Sequence, residues 1–244
     1  MNKGIILITG GDGNISEQII TRYLNQGEKV IAVDIHTKSK YSQFYENENY
    51  EYYQVDVTKI EDLQKLYQKI NEKYGRITHI ISGAGRPMET EMEELTNIDF
   101  EDVNRSIQLN LTSHIHVTKI FLPLLEKEEI TNKSIILISS VNALKTFNLP
   151  IYSAAKAGIY GFMHAMTKEL GKKNIRINTI SPGTVPTKAD LASGDKFYNY
   201  RYKNMLALSD FTKPEDIADA SFSLTHIMKA VTGQNMVVDS GQIS

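Results

Sequence analysis

Tyr152 and Lys156, in the run "YSAAKAG" (152–158), stand four residues apart among small side chains that read as the start of a helix, sharing one face about one turn apart. A tyrosine with an unperturbed pKa of ~10 is a poor base at neutral pH, whereas a nearby ammonium stabilises its phenolate. Lowering that pKa by ~2 to 3 units corresponds to roughly 3 to 4 kcal/mol, enough for proton exchange with an alcohol or ketone. The expectation is a tyrosine tuned downward by its lysine. An oxygen gaining negative charge in such a reaction needs a second donor. The strand-like run "SIILISS" ends in two candidates, Ser139 and Ser140, and a further polar group, Asn110, lies in "SIQLNLTSH". Singly, each has a plainer account: a loop cap, a polar helix residue, an amphipathic pair.

Placing such groups takes a scaffold. Short apolar runs recur along the chain: "GIILIT" (4–9), "KVIAVD" (29–34), "HIISG" (79–83), "SIILISS" (134–140), "IRINTIS" (175–181) and "NMVVDS" (235–240). Between them lie segments of helical period, such as Leu63, Leu66, Tyr67 and Ile70 at i, i+3, i+4 and i+7. Strands apolar throughout and separated by helices predict a parallel sheet covered on both faces, a doubly wound α/β fold of three layers. One domain over residues 1–244 is expected, with an irregular stretch at about 184–212 as a substrate lid.

The first strand ends in "ITGGDGNIS" (8–16), a glycine-rich turn into a helix, where backbone N–H groups and the helix dipole favour a pyrophosphate. The second strand ends at Asp34, 24 residues beyond Gly10, where a carboxylate accepts from both ribose hydroxyls and repels a 2′-phosphate. His36, Lys38 and Lys40 follow and would soften that preference for NAD over NADP.

On these residues the chain resembles the short-chain dehydrogenase/reductase family, from Lys3 to Gly241. The family's T-G-x-x-x-G-x-G aligns on Thr9, Gly10, Asn14 and Ser16, with Asn14 tolerating left-handed backbone angles in place of a glycine. "DVT" matches the adenine-contacting segment at Asp56 and Val57; "SGAG" stands for N-N-A-G, with Gly83, Ala84 and Gly85; "SPGTVPT" matches the segment lining the nicotinamide, with Pro182, Gly183, Val185 and Thr187. Asp12 and Ile15 complete the cofactor set that the resemblance implies, with Tyr152 and Lys156 also contacting the nicotinamide half. It implies a Rossmann fold and reversible hydride transfer between nicotinamide and a secondary alcohol or ketone. The family serine lies about a dozen residues before the tyrosine, which selects Ser140 with Ser139 as fallback, and Asn110 matches the asparagine that continues a proton path from the lysine. A homotetramer or dimer, built through helices over roughly 99–127 and 152–171, is implied in the same way.

Composition bounds the alternatives. Lys plus Arg number 27 against 29 Asp plus Glu, so no overall basic field exists to hold nucleic acid or an anionic membrane. Absence of cysteine excludes disulfides, thiolate metal sites and cysteine nucleophiles. His114 and His116, two apart on a helix, point in different directions and cannot share a metal, so no metal is expected. Lys168, Lys172, Lys173 and Arg176 read as a solvated helix C-terminus, while "FYNYRY" (197–202) fits either the substrate or the core. The N-terminus reads as a mature cytoplasmic start, with neither a secretion signal nor a span. The leading expectation is an NAD-dependent dehydrogenase acting on a small polar, sugar- or polyol-like molecule. An NADPH-dependent 3-oxoacyl-carrier reductase and a catalytically silent dinucleotide-binding scaffold are the alternatives.

Overall fold

All six apolar runs become strands; five are buried on both faces, while the sixth, at the sheet edge, is only partly covered. A computed structural model describes residues 4–127, 131–145, 147–186 and 204–244. Its strands are β1 (Ile5–Thr9), β2 (Lys29–Asp34), β3 (Tyr50–Gln54), β4 (His79–Ser82), β5 (Lys133–Ile138), β6 (Ile175–Pro182) and β7 (Asn235–Val238). They form one parallel sheet in the order β3-β2-β1-β4-β5-β6-β7. The winding reverses between β1 and β4, which opens a crevice at the carboxyl ends of those strands. Strand β3 is the one the apolar pattern omits: as an edge strand it pairs only with β2, and its sequence YEYYQ is mostly half-buried.

Helices cover both faces. On one lie α2 (Ile60–Tyr74), α4 (Ser113–Leu125) and α5 (Pro150–Gly171), contributing Leu63, Leu66, Ile70, Phe121, Ile159 and Met163 to the core. On the other lie α1 (Asn14–Leu24) and α6 (Pro214–Phe222), with Ile19, Ile20, Tyr23 and Ile217. Full burial of each such large apolar side chain contributes about 1.5–3 kcal/mol. The expected helix over 99–127 is interrupted. Asp99 caps α3 (Phe100–Ile107) by accepting from the Glu101 N–H, and a π-type turn at Gln108–Thr112 then joins α3 to α4. That turn carries Asn110, and π turns of this kind concentrate at functional sites.

Arg176 departs from the solvated reading. It lies in β6 and donates to the carbonyls of Leu224 and Thr225 and to Asn132 Oδ1, satisfying the turn that follows α6. Lys173 does lie at the surface, paired with Glu126.

Candidate active site

The glycine turn needs its glycines for space. Gly10 has φ +73°, and a Cβ there would lie 2.9 Å from the Ala84 backbone; a Cβ on Gly13 would lie 3.1 Å from the Gly10 carbonyl oxygen. Thr9 Oγ1 accepts from the N–H groups of Gly83 and Ala84, which ties the ends of β1 and β4 together. Gly13 precedes α1 without a capping side chain, so the first N–H groups of that helix point toward the cleft. Asn14 is a correction: it is the first residue of α1, in right-handed helical conformation, and needs no left-handed tolerance because the turn is completed before it. Ser16 is buried behind the turn, and Ile15 packs partly on the core.

A cleft of about 480 Å³ opens over this turn, lined by Gly10, Asp12, Gly13, Asp34, Asp56, Val57, Gly83, Ala84 and Gly85. Most of the residues assigned to the dinucleotide's adenosine and pyrophosphate therefore share one surface, while Thr9, Asn14 and Ile15 lie outside its lining. Asp34 Oδ2 accepts the Asp12 N–H at 3.1 Å, and Asp34 Oδ1 accepts the Ile35 N–H at 2.8 Å. His36 does not offset these charges from a distance; its Nδ1 lies 2.8 Å from Asp34 Oδ1 and 3.3 Å from Asp12 Oδ2. Lys40 lies with its ammonium over the Tyr41 ring, and only its backbone N–H meets Asp12. Asp56 accepts from the N–H and hydroxyl of Thr58, which fixes the start of the connection to α2.

Pro182, Gly183 and Val185 lie at the far end of β6, outside the lining of this cleft. Gly183 donates its N–H to the Val238 carbonyl, and a Cβ there would sit 2.7 Å from Asp239 Cα. Gln242 clasps Thr184 by two hydrogen bonds of 2.7 and 2.8 Å. This C-terminal clasp has no signal in the sequence. Thr187 and the FYNYRY run fall outside the described residues, as does most of the expected lid.

At the neighbouring carboxyl ends, the structure brings Asn110, Ser140, Tyr152 and Lys156 together. Lys156 is fully buried and donates from Nζ to the Ile138 carbonyl at 2.9 Å; the same Nζ lies 5.6 Å from the centre of the Tyr152 ring. Ser140 Oγ accepts the Asn142 N–H at 3.1 Å, faces Asn142 Oδ1 at 3.4 Å, and lies near enough to the Tyr152 phenol to favour its ionisation. Ser139, the fallback, turns the other way and donates to the Lys156 backbone carbonyl at 3.0 Å, a structural role. Asn110 Nδ2 donates to the Arg86 carbonyl at 2.8 Å, leaving its buried Oδ1 without a partner among the described residues.

The expected tuning of Tyr152 is corrected by this geometry. Burial pushes its phenol up to about 12; Ser140 opposes the rise and the Glu91 charge adds to it. Burial also brings Lys156 down to about 7. Each group loses water and neither meets the other's polar atom, so the isolated pair favours two neutral side chains. Nearby His114 is likewise held neutral, by burial first and then by the Lys156 charge.

Gly85 fixes the spacing of this cluster. A Cβ there would lie 2.7 Å from Asn110 Oδ1 and 2.9 Å from Lys156 Nζ, below any tolerated contact. Gly85→Ala is expected to lower kcat at least tenfold and to destabilise the fold by about 1–3 kcal/mol, read by steady-state kinetics and thermal melting.

A family model described as short chain dehydrogenase matches residues 4–196, and the chain belongs to that family of oxidoreductases, which act on CH–OH and keto groups. It is 29% identical over 247 residues to the 3-oxoacyl-(acyl-carrier-protein) reductase of Thermotoga maritima, covering 98% of this chain and 97% of the relative. It is 31% identical to the acetoacetyl-CoA reductase of Allochromatium vinosum, covering 97% of each. A short chain dehydrogenase of Leptospira borgpetersenii solved with bound NAD+ superposes with a TM-score of 0.88 at 22% identity, over 99% of this chain and 93% of that one.

Proposed function

We propose that the protein is an NAD(H)-dependent oxidoreductase that interconverts a secondary alcohol and its ketone on a small polar, sugar- or polyol-like substrate. The observation that carries the cofactor reading is the pair Asp12 and Asp34 lining the cleft, with the Asp12 backbone N–H donating to the Asp34 carboxylate. The unfilled glycine cradle and the uncapped start of α1 fit a dinucleotide pyrophosphate. When bound, the nicotinamide supplies the hydride donor or acceptor. Gly10, Asp12, Asp34, Asp56, Val57 and the 83–85 segment would hold the adenosine and pyrophosphate half. Pro182, Gly183, Val185 and Thr187 are proposed for the other half.

The protein's own part is proton transfer and orientation. Tyr152 Oη exchanges a proton with the substrate oxygen, and Ser140 Oγ, which accepts from the Asn142 N–H, exchanges its long 3.4 Å contact to Asn142 Oδ1 for a hydrogen bond to that oxygen. Lys156 supplies positive charge beside the phenol when protonated, and Asn110 Oδ1 is the acceptor that continues the relay. In the oxidation direction Tyr152 is the base, and in reduction the acid.

A second reading, reduction of a 3-oxoacyl thioester with NADPH, is favoured by the names of the Thermotoga and Allochromatium relatives. The carboxylates oppose its cofactor. At an effective dielectric constant of about 20, a carboxylate some 4 Å from a phosphate charge costs up to about 4 kcal/mol, so NADH is expected to bind roughly 100-fold more tightly than NADPH. Paired calorimetric titration reads this directly. Asp12→Ser combined with Asp34→Ala is expected to shrink the gap to under about tenfold; an NADPH preference in the unmodified protein would move the thioester reading forward. Among the described residues no helix is long and apolar enough to cross a membrane. A cytoplasmic homotetramer or dimer belongs to the same proposal, supported by the exposed Met92, Leu95 and Phe100 beside and at the start of α3.

A further inference from the structure

The helix that carries Tyr152 and Lys156 begins without a local cap. Leu149, at its N-cap position, is left-handed with φ +70° and makes no side-chain hydrogen bond to the helix; Asn148 before it is also left-handed at φ +61°. Such a conformation is uncommon for non-glycine residues, Leu above all, and persists only where the surrounding structure holds it. Pro150 brings no N–H, so Ile151 and Tyr152 hold the first backbone donors of α5. The Tyr152 N–H is taken by a residue 61 positions away: Glu91, whose Oε2 accepts it at 2.6 Å.

Glu91 is 0% exposed, and a buried carboxylate persists only where hydrogen bonds replace water. Its second oxygen, Oε1, accepts the Met88 N–H at 3.2 Å. Met88 itself lines the dinucleotide cleft, three residues beyond Gly85. One side chain therefore joins the wall of the cofactor cleft to the backbone of the proton-transfer tyrosine. Only a carboxylate can do this: glutamine has a single acceptor oxygen and would turn its NH₂ toward one of the two N–H groups. In the run "METEMEEL" the surrounding Glu89, Glu93 and Glu94 are exposed, and Glu91 alone turns inward.

We propose that Glu91 is the positioning residue of the reaction: it replaces the missing cap of α5 and fixes Tyr152 against the cofactor cleft. The inference rests on the reading of Tyr152 as the proton-transfer group. Among the described residues, the other polar and charged groups on α5 and on the elements near it include Lys156 on its own helix, the neutral Ser140 after β5, Asn110 on the π-type turn, His114 of α4 beside Lys156, and, on α3, the Asp102–Arg105 pair, whose Asp102 accepts from Thr90. Glu91 is the one acidic group among these whose charge reaches the phenol, and it opposes phenolate formation.

The test uses the full chain with NAD+ and a turned-over alcohol, comparing Glu91→Gln, Glu91→Asp and Tyr152→Phe. Glu91→Gln removes the charge and is expected to move the alkaline limb of kcat/KM for oxidation to lower pH by about half to one unit, with kcat lowered about tenfold. Glu91→Asp keeps the charge but withdraws the oxygens, and is expected to lower kcat while leaving the limb in place. A second readout needs no turnover: in protein labelled with 3-fluorotyrosine, the ¹⁹F resonance of Tyr152, assigned by its loss in Tyr152→Phe, should titrate at lower pH in Glu91→Gln. A lower melting temperature with both titrations unmoved would make Glu91 a helix cap only and overturn the proposal. A shifted ¹⁹F titration together with an active Tyr152→Phe would leave Glu91's hold on Tyr152 standing and remove the proton-transfer role of Tyr152 instead.

Discussion

Tyr152→Phe is expected to lower kcat by about 10²- to 10⁴-fold, the range lost with a positioned proton-transfer group, while NADH affinity stays within about threefold. The substitution removes one oxygen. It leaves the ring beside Lys156, the Glu91 bond to the backbone N–H, and the Lys156 bond to Ile138 intact. What it takes away is the hydroxyl, whose ionisation Ser140 favours and burial opposes. A loss confined to kcat, with KM little changed, is the signature of an interaction made at the transition state rather than in binding. The pH profile carries the same sign: with a phenol pushed up toward about 12, oxidation should accelerate with rising pH, up to tenfold per unit, because the base form is the scarce one. Residual activity within tenfold of the unmodified enzyme would transfer the proton-transfer role to another group.

The sequence makes the scaffold legible where burial is symmetric. Strands β1, β2, β4, β5 and β6 are covered on both faces, so their apolar runs need no partner to be read. Strand β3 is hidden because, at the sheet edge, it is mostly half-buried and carries polar residues: Tyr50 is buried while Glu51 pairs with Lys73. At the site, the tetrad and the choice of Ser140 over Ser139 come from the family resemblance; the fold brings the four residues to one place, with Ser139 turned instead to the Lys156 carbonyl. Spacing cannot reveal solvation. The i, i+4 relation of Tyr152 and Lys156 suggests a charge pair, yet both polar atoms sit where burial outweighs attraction, and the shifts run opposite to the simple expectation. Groups that act across the chain, Glu91 on Tyr152 and Gln242 on Thr184, are separated by 61 and 58 residues and leave no local pattern.

The buried lysine has a consequence that stability can report without any substrate. Burial lowers Lys156 to about 7 in the folded protein from the ordinary lysine value of 10.5. Between those values the unfolded chain binds more protons than the folded one, so unfolding free energy must rise with pH across that window. The full span corresponds to about 5 kcal/mol, an upper figure that local relaxation will reduce. Buried His79 and His114, held well below the ordinary imidazole value, act in the same direction as pH falls below about 6.5. Tyr23, raised to about 12 by burial, acts oppositely: above pH ~10 the unfolded phenol ionises while the folded one does not, and stability declines. The expected profile is a dome peaking near pH 10. Lys156→Met, of similar length and apolar, should flatten the segment from pH 7 to 10 to under about 1 kcal/mol, even though losing the bond to Ile138 lowers the whole curve by about 1–3 kcal/mol. Urea denaturation at intervals of one pH unit measures both slopes. Equal slopes for the two proteins would mean that the folded site keeps the ammonium solvated; a steep wild type beside a flat variant would establish that burial makes Lys156 a proton carrier poised near neutrality, as a relay between phenol and solvent requires.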